Sequence, residues 1–226
     1  MRSREKEAVR PARRTRRPGQ TAALWLFLFA AVLSATWAGD NPIVIVAFGT
    51  SLTSGFGLPG QDSFPTRLEQ ALQEAGLEVR VLNYGIPGLT SARAVQEVDR
   101  VLALEPNLVF LELGANDVLR EVAPQVLAAN LELIITRFKS AGVRVLLAGM
   151  NAPAQAGEAY AQAVTGLYLR LAAAHEAPLY PFFLEGVAGR PEYNQLDGLH
   201  PNARGVQKIV EGILPLAVRS VQEVRE

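Results

Sequence analysis

Between Pro42 and the C-terminus the spacing of apolar residues switches repeatedly between a strand-like and a helix-like period. The run PIVIVAF (Pro42–Phe48) is unbroken and rich in β-branched residues, which predicts a strand buried on both faces of a sheet. Phe64, Leu68, Ala71, Leu72 and Ala75 then fall on one face of a helix that Gly76 is placed to end. EVRVLNYG predicts a second strand, and SARAVQEVDRVLALEP a second helix with Ser91 as N-cap and Pro106 just beyond its end. NLVFLELG, PQVLAANLELIITRFKSAG and VRVLLAGM predict a third strand, a third helix and a fourth strand. A helix over 157–174 leads to a fifth strand, APLYPFF, and a last helix runs from Pro201, a residue suited to a first turn.

Five strands alternating with helices imply a three-layer α/β/α domain with a parallel sheet, flavodoxin-like, strand order 2-1-3-4-5. No repeat, linker or low-complexity tract follows residue 40, and 226 residues favour one domain. In such a sheet the ligand site lies at the carboxyl ends of the strands. Four clusters are expected at that rim: Gly49-Thr50-Ser51-Leu52-Thr53, Asn83-Tyr84-Gly85-Ile86-Pro87-Gly88, Gly114-Ala115-Asn116-Asp117, and DGLHP over Asp197–Pro201.

Charge divides the chain. Residues 1–20 carry eight Lys/Arg and two Glu, a net of +6, while the remainder carries 14 basic and 20 acidic residues, a net of −6. An acidic body is a poor nucleic-acid binder. The basic head precedes TAALWLFLFAAVLSATWA (Thr21–Ala38), uncharged and almost wholly apolar, which predicts an export segment over 1–38 and a single domain over 39–226. Small residues at Thr36 and Ala38 suit cleavage after Ala38; retention as an anchor, with membrane association through 21–38, is the competing expectation. Either way the body is expected outside the cytoplasm, periplasmic or secreted. With no cysteine there is no disulfide framework and no thiolate metal site.

The rim clusters supply a hydroxyl, Gly-rich backbone donors, an amide, and a carboxylate three residues before an imidazole, the parts needed for acyl transfer. Ser51 is the expected nucleophile, with Gly49 permitting close approach in the turn. His200 is the expected base and acid, its ordinary pKa of about 6.5 lying near working pH. Asp197 is expected to fix its tautomer. The Ser51 and Gly88 N–H groups and the Asn116 amide are the expected oxyanion hole.

Other uses of these residues are weaker. GFGLPG (Gly55–Gly60) is a literal G-x-G-x-x-G, but Pro59 intervenes before the helix and Asn83-Tyr84, not an acid, end the second strand. A phosphate cradle at Thr50–Gly55 is a lesser alternative. Asn116-Asp117 alone reads as a turn and cap. A metal set of Asp117, Asp197 and His200 lacks a second His or any Cys, so no metal is expected. His175, the other histidine, sits at a helix end and is read as structural.

In order and spacing the four clusters resemble the sequence blocks of the SGNH/GDSL hydrolase superfamily, and are most similar to its bacterial periplasmic acyl-CoA thioesterase/lysophospholipase/arylesterase branch. The resemblance spans roughly 42–216: FGTSLTSGFGL carries the nucleophile to Ser51, NYGIPGLTS and LELGAND the oxyanion donors to Gly88 and Asn116, and DGLHPN the dyad to Asp197 and His200. It departs at Thr50, where the motif has Asp, a position expected to affect turn geometry rather than chemistry. The resemblance implies a cofactor-free serine esterase acting on aryl esters, short to medium acyl esters, thioesters or lysophospholipids. Ile86, Val118, Leu119, Leu196 and Leu199 are the apolar rim residues expected to receive the acyl chain. Phe182, Phe183 and Leu184 fit either that pocket or the core, the core being expected for Phe182. The rival functions are a carbohydrate O-deacetylase on the same scaffold and a non-catalytic ligand-binding module.

Overall fold

A computed structural model describes residues 41–225; the expected export segment, 1–38, lies outside them. The chain runs β1 (Ile43–Gly49), α1 (Ser51–Ser54), α2 (Phe64–Glu74), β2 (Val79–Gly85), α3 (Ser91–Leu102), β3 (Leu108–Glu112), α4 (Ala115–Leu119), α5 (Pro124–Ser140), β4 (Arg144–Ala148), α6 (Glu158–His175), β5 (Leu179–Tyr180) and α7 (Ala203–Val224). All strand pairs are parallel, in the order β2-β1-β3-β4-β5, as the sequence predicts. The order reverses between β1 and β3, so the loops after these two strands diverge to opposite sides and leave a crevice at their carboxyl ends.

The sheet must be covered twice because its central strands are apolar on both faces. Phe48 pairs with Leu111 and Ala47 with Phe110, so Phe48 and Phe110 leave the sheet on opposite sides. Phe110 stacks against Phe64 of α2 and Phe183, with ring centroids 4.8 and 6.1 Å away. Phe48 meets Phe138 of α5 edge-on at 6.2 Å. Helices α2 and α7 pack together over the first face, and α3, α5 and α6 over the second. Val206, Ile209, Val210, Ile213, Ala217 and Val221 form the buried stripe of α7, at helical spacing.

Three local expectations are corrected. The N-cap of α3 is Thr90, not Ser91; Ser91 opens the helix, and Asp117 serves as its cap by accepting from the Ser91 N–H at 2.9 Å and the Ser91 hydroxyl at 2.6 Å. Pro201 stands before α7 instead of in its first turn, bridged to Asn194, and Asn202 is the cap, accepting from the Gly205 N–H at 3.0 Å. The fifth strand is only two residues long, because Pro178 and Pro181 bracket it and neither can donate to a ladder.

Candidate active site

β1 ends at Gly49 and the chain turns at once into α1, whose first residue is Ser51. Thr50 caps this one-turn helix, its Oγ1 accepting from the Leu52 N–H at 3.3 Å, and Gly55 closes it at φ 75°, a conformation that favours glycine. Gly85 permits the β2 loop to approach: a Cβ there would lie 2.3 Å from the Ser54 nitrogen. The Ile86 N–H then donates to the Gly49 carbonyl at 2.9 Å, and Asn83 donates to the Ser54 carbonyl at 3.2 Å, joining the first two loops.

The segment before α7 brings the third group. Within Asp197-Gly198-Leu199-His200 the Asp197 carboxylate accepts from the Leu199 N–H at 2.9 Å, the His200 N–H at 3.0 Å and the His200 ring Nδ1 at 2.6 Å. These donors, the His200 backbone foremost, pull its pKa down to about 2. The other ring nitrogen, Nε2, lies 3.0 Å from Ser51 Oγ. An Nδ1–H bound to the carboxylate leaves Nε2 unprotonated and facing the hydroxyl. Phe56 stacks on the imidazole at a centroid distance of 4.8 Å. Gln195 anchors the loop from below, donating to the Phe56 carbonyl at 2.7 Å and the Pro201 carbonyl at 3.0 Å.

Asn116 enters from α4, and its Nδ2 donates one hydrogen to the Leu89 carbonyl at 3.0 Å, which orients the amide and leaves the second hydrogen for the cleft. Gly88, at φ 77°, lines the same cleft. Among the described residues the Ser51 and Gly88 N–H groups donate to no protein acceptor. The structure thus places Ser51, Gly88, Asn116 and His200 on one cleft, with Asp197 bonded to His200.

The cleft has a volume of about 730 Å³ and is mostly apolar. Of the expected acyl-contact residues, Val118, Leu119 and Leu199 line it. Ile86 instead packs toward the core, and Leu196 is fully exposed, its side chain turned to solvent by the Asp197 turn. Phe182 and Leu184 line the cleft whereas Phe183 is wholly buried, the reverse of the expectation for Phe182. The brevity of β5 is the reason: the chain leaves the sheet at Pro181, so residues 182–184 alternate between cleft and core. Phe56, Leu52, Met150 and Ala152 complete the wall; no local periodicity marks them, since they lie in loops or in a single helical turn.

Asp117 is buried, its carboxylate taken up by the Ser91 N–H at 2.9 Å and the Ser91 hydroxyl at 2.6 Å. His175 lies at the far end of α6, its Nε2 2.9 Å from a Glu132 carboxylate oxygen.

Residues 47–208 match the model of the GDSL-like lipase/acylhydrolase family. The chain is 35% identical over 189 residues to an arylesterase of Vibrio mimicus, covering 83% of this chain and 93% of that protein. It is 33% identical to the thioesterase 1/protease 1/lysophospholipase L1 of Escherichia coli K12, covering 78% of this chain and 83% of the relative. The crystal structure of TesA superposes with a TM-score of 0.75 at 34% identity, covering 79% of this chain and 99% of the other.

Proposed function

Because the chain belongs to the GDSL-like lipase/acylhydrolase family, we propose that it hydrolyses carboxylic esters through a covalent acyl-Ser51 intermediate. The observation that carries this reading is the unbroken line Asp197–His200–Ser51, with contacts of 2.6 and 3.0 Å, opening on a mostly apolar cleft of about 730 Å³.

His200 Nε2 takes the Ser51 proton as Oγ attacks the ester carbonyl, and Asp197 stabilises the imidazolium that results. The oxygen of the tetrahedral intermediate turns toward the Ser51 and Gly88 N–H groups and the free hydrogen of the Asn116 amide. His200 then returns the proton to the leaving alkoxide, aryloxide or thiolate, the C–O or C–S bond breaks, and the acyl group stays on Ser51. A water activated by the same imidazole releases the acid.

The apolar walls suit an acyl chain, and the relatives' names support aryl esters, thioesters and lysophospholipids as substrates. The charge pattern of 1–38 supports export, with the domain periplasmic, secreted or held at a membrane by residues 21–38.

A series of p-nitrophenyl esters from acetyl to decanoyl tests the reading. Turnover is expected to persist or rise beyond acetyl, and to fall by at least about 10⁴-fold in Ser51→Ala. Turnover confined to acetyl groups would favour the carbohydrate deacetylase, and no turnover of any ester would favour a binding module.

A further inference from the structure

Beneath the Ser51 turn lies a carboxyl group that acyl transfer leaves without a part. Glu112 closes β3 opposite Gly49 and is fully buried. A single oxygen, Oε2, accepts from the Thr50 N–H at 2.9 Å, the Thr50 hydroxyl at 2.9 Å and the Thr53 hydroxyl at 2.8 Å. Thr50 and Thr53 are themselves wholly buried, and Ser51 stands between them. The same Thr50 hydroxyl oxygen caps α1 by accepting from the Leu52 N–H. Gly49 makes the arrangement possible: a Cβ there would lie 2.1 Å from Thr53 Oγ1 and 2.7 Å from Glu112 Oε2. Four residues further along the chain is Asn116. One carboxyl therefore ties the turn that carries the hydroxyl to the strand that leads to the oxyanion amide.

A buried carboxylate is costly even when hydrogen-bonded, and an apolar side chain of similar volume would often be at least as stable. Its presence under a turn whose geometry sets the reaction calls for a functional reason. We propose that Glu112, as the carboxylate, is a positioning residue that gathers Thr50 and Thr53 onto one oxygen and thereby fixes Ser51 Oγ and the Ser51 N–H against His200 and Asn116. This rests on Ser51 being the nucleophile. The ionised group accepts from all three donors, whereas a protonated one becomes a donor at Oε1, 3.2 Å from the Thr50 hydroxyl, and disturbs the cap. Burial outweighs the three donors and pushes the Glu112 pKa up to about 7, so the switch between these forms lies in the working range. Tyr168 of α6, which donates to the Leu113 carbonyl at 2.7 Å, feels the charge of Glu112, as it feels those of Asp117 of α4, held by Ser91, and of Tyr160 of α6. Thr50, where the family motif has Asp, supplies Glu112 with a hydroxyl donor instead of a second carboxylate.

The test is the rate of Ser51 phosphonylation by a fluorophosphonate, followed from acid to alkaline pH on the full chain, beside steady-state turnover of a p-nitrophenyl ester. Glu112→Gln is expected to slow labelling and kcat by at least about tenfold at alkaline pH while KM moves less than about twofold. The wild-type acid limb is expected to be steeper than that of Glu112→Gln, because protonation of Glu112 adds to its fall. Thr53→Val should slow labelling similarly and Thr53→Ser should restore it, a pair that carries the test if Glu112→Gln does not fold. Rates within about twofold of wild type in Thr53→Val, or in a folded Glu112→Gln with an unchanged acid limb, would overturn the inference alone. A folded wild-type protein that takes no label on Ser51 would overturn the nucleophile reading, and this inference with it.

Discussion

The imidazole of His200 is held between two partners of different strength. Asp197 Oδ2 lies 2.6 Å from Nδ1 and stays ionised down to about pH 2, whereas the Ser51 hydroxyl lies 3.0 Å from Nε2. Replacing the carboxylate by an amide keeps the shape but reverses the preferred tautomer, so Asp197→Asn is expected to lower kcat by about 10⁴-fold with little change in KM. Steady-state kinetics check this directly. Loss of one oxyanion donor is smaller: Asn116→Ala is expected to cost about 10²–10³ in kcat. At this scale the sequence was informative, because each reacting group sits within a few residues of a strand end and the paired D-x-x-H spacing suits the turn that closes on Asp197. It did not disclose Glu112, whose place in an apolar strand reads as an ordinary inward or outward position; only the register of β1 against β3 puts it beneath Ser51.

Among the elements, β5 and the residues after it decide what the cleft can hold. Phe183 packs 5.1 Å from Phe64 and 6.1 Å from Phe110, ring to ring, and is wholly buried; Phe182 faces the cleft. Phe183→Ala should therefore destabilise the fold by about 3–5 kcal/mol in urea unfolding. Phe182→Ala should leave the unfolding midpoint close to wild type while lowering kcat/KM for the longer acyl esters more than for acetyl. Parallel order and helix placement were legible because βαβ alternation admits few topologies. The exchange of roles between Phe182 and Phe183 was not, because a strand that stops after two residues breaks the period from which faces are read. The one-turn helices α1 and α4 escaped for a related reason, being too short to display a helical period.

For the whole molecule, the two carboxyl groups shifted at the site, Asp197 and Glu112, bend stability with pH in opposite senses. Asp197 is depressed in the folded state, so the stabilisation it gives is present above the ordinary value of 3.8 and is lost as pH falls through about 2. Glu112 is raised, so its contribution is fully present below 4.5 and is lost as pH rises through about 7. Urea unfolding is accordingly expected to show that Glu112→Gln changes stability less favourably at acid than at alkaline pH relative to wild type, the difference developing between about pH 4.5 and 7. A parallel sheet covered on both faces thus carries a charged group under its reactive turn, and its reaction and its stability draw on that group in opposite directions.

The central claim, an activated serine at residue 51, is tested most directly by treating the folded full chain with a fluorophosphonate and locating the adduct by peptide mass mapping. A single adduct on Ser51, absent in Ser51→Ala and formed at least about 10³-fold more slowly in His200→Ala, is the expected result. A folded protein that forms no adduct, or forms it at another residue, would contradict the account.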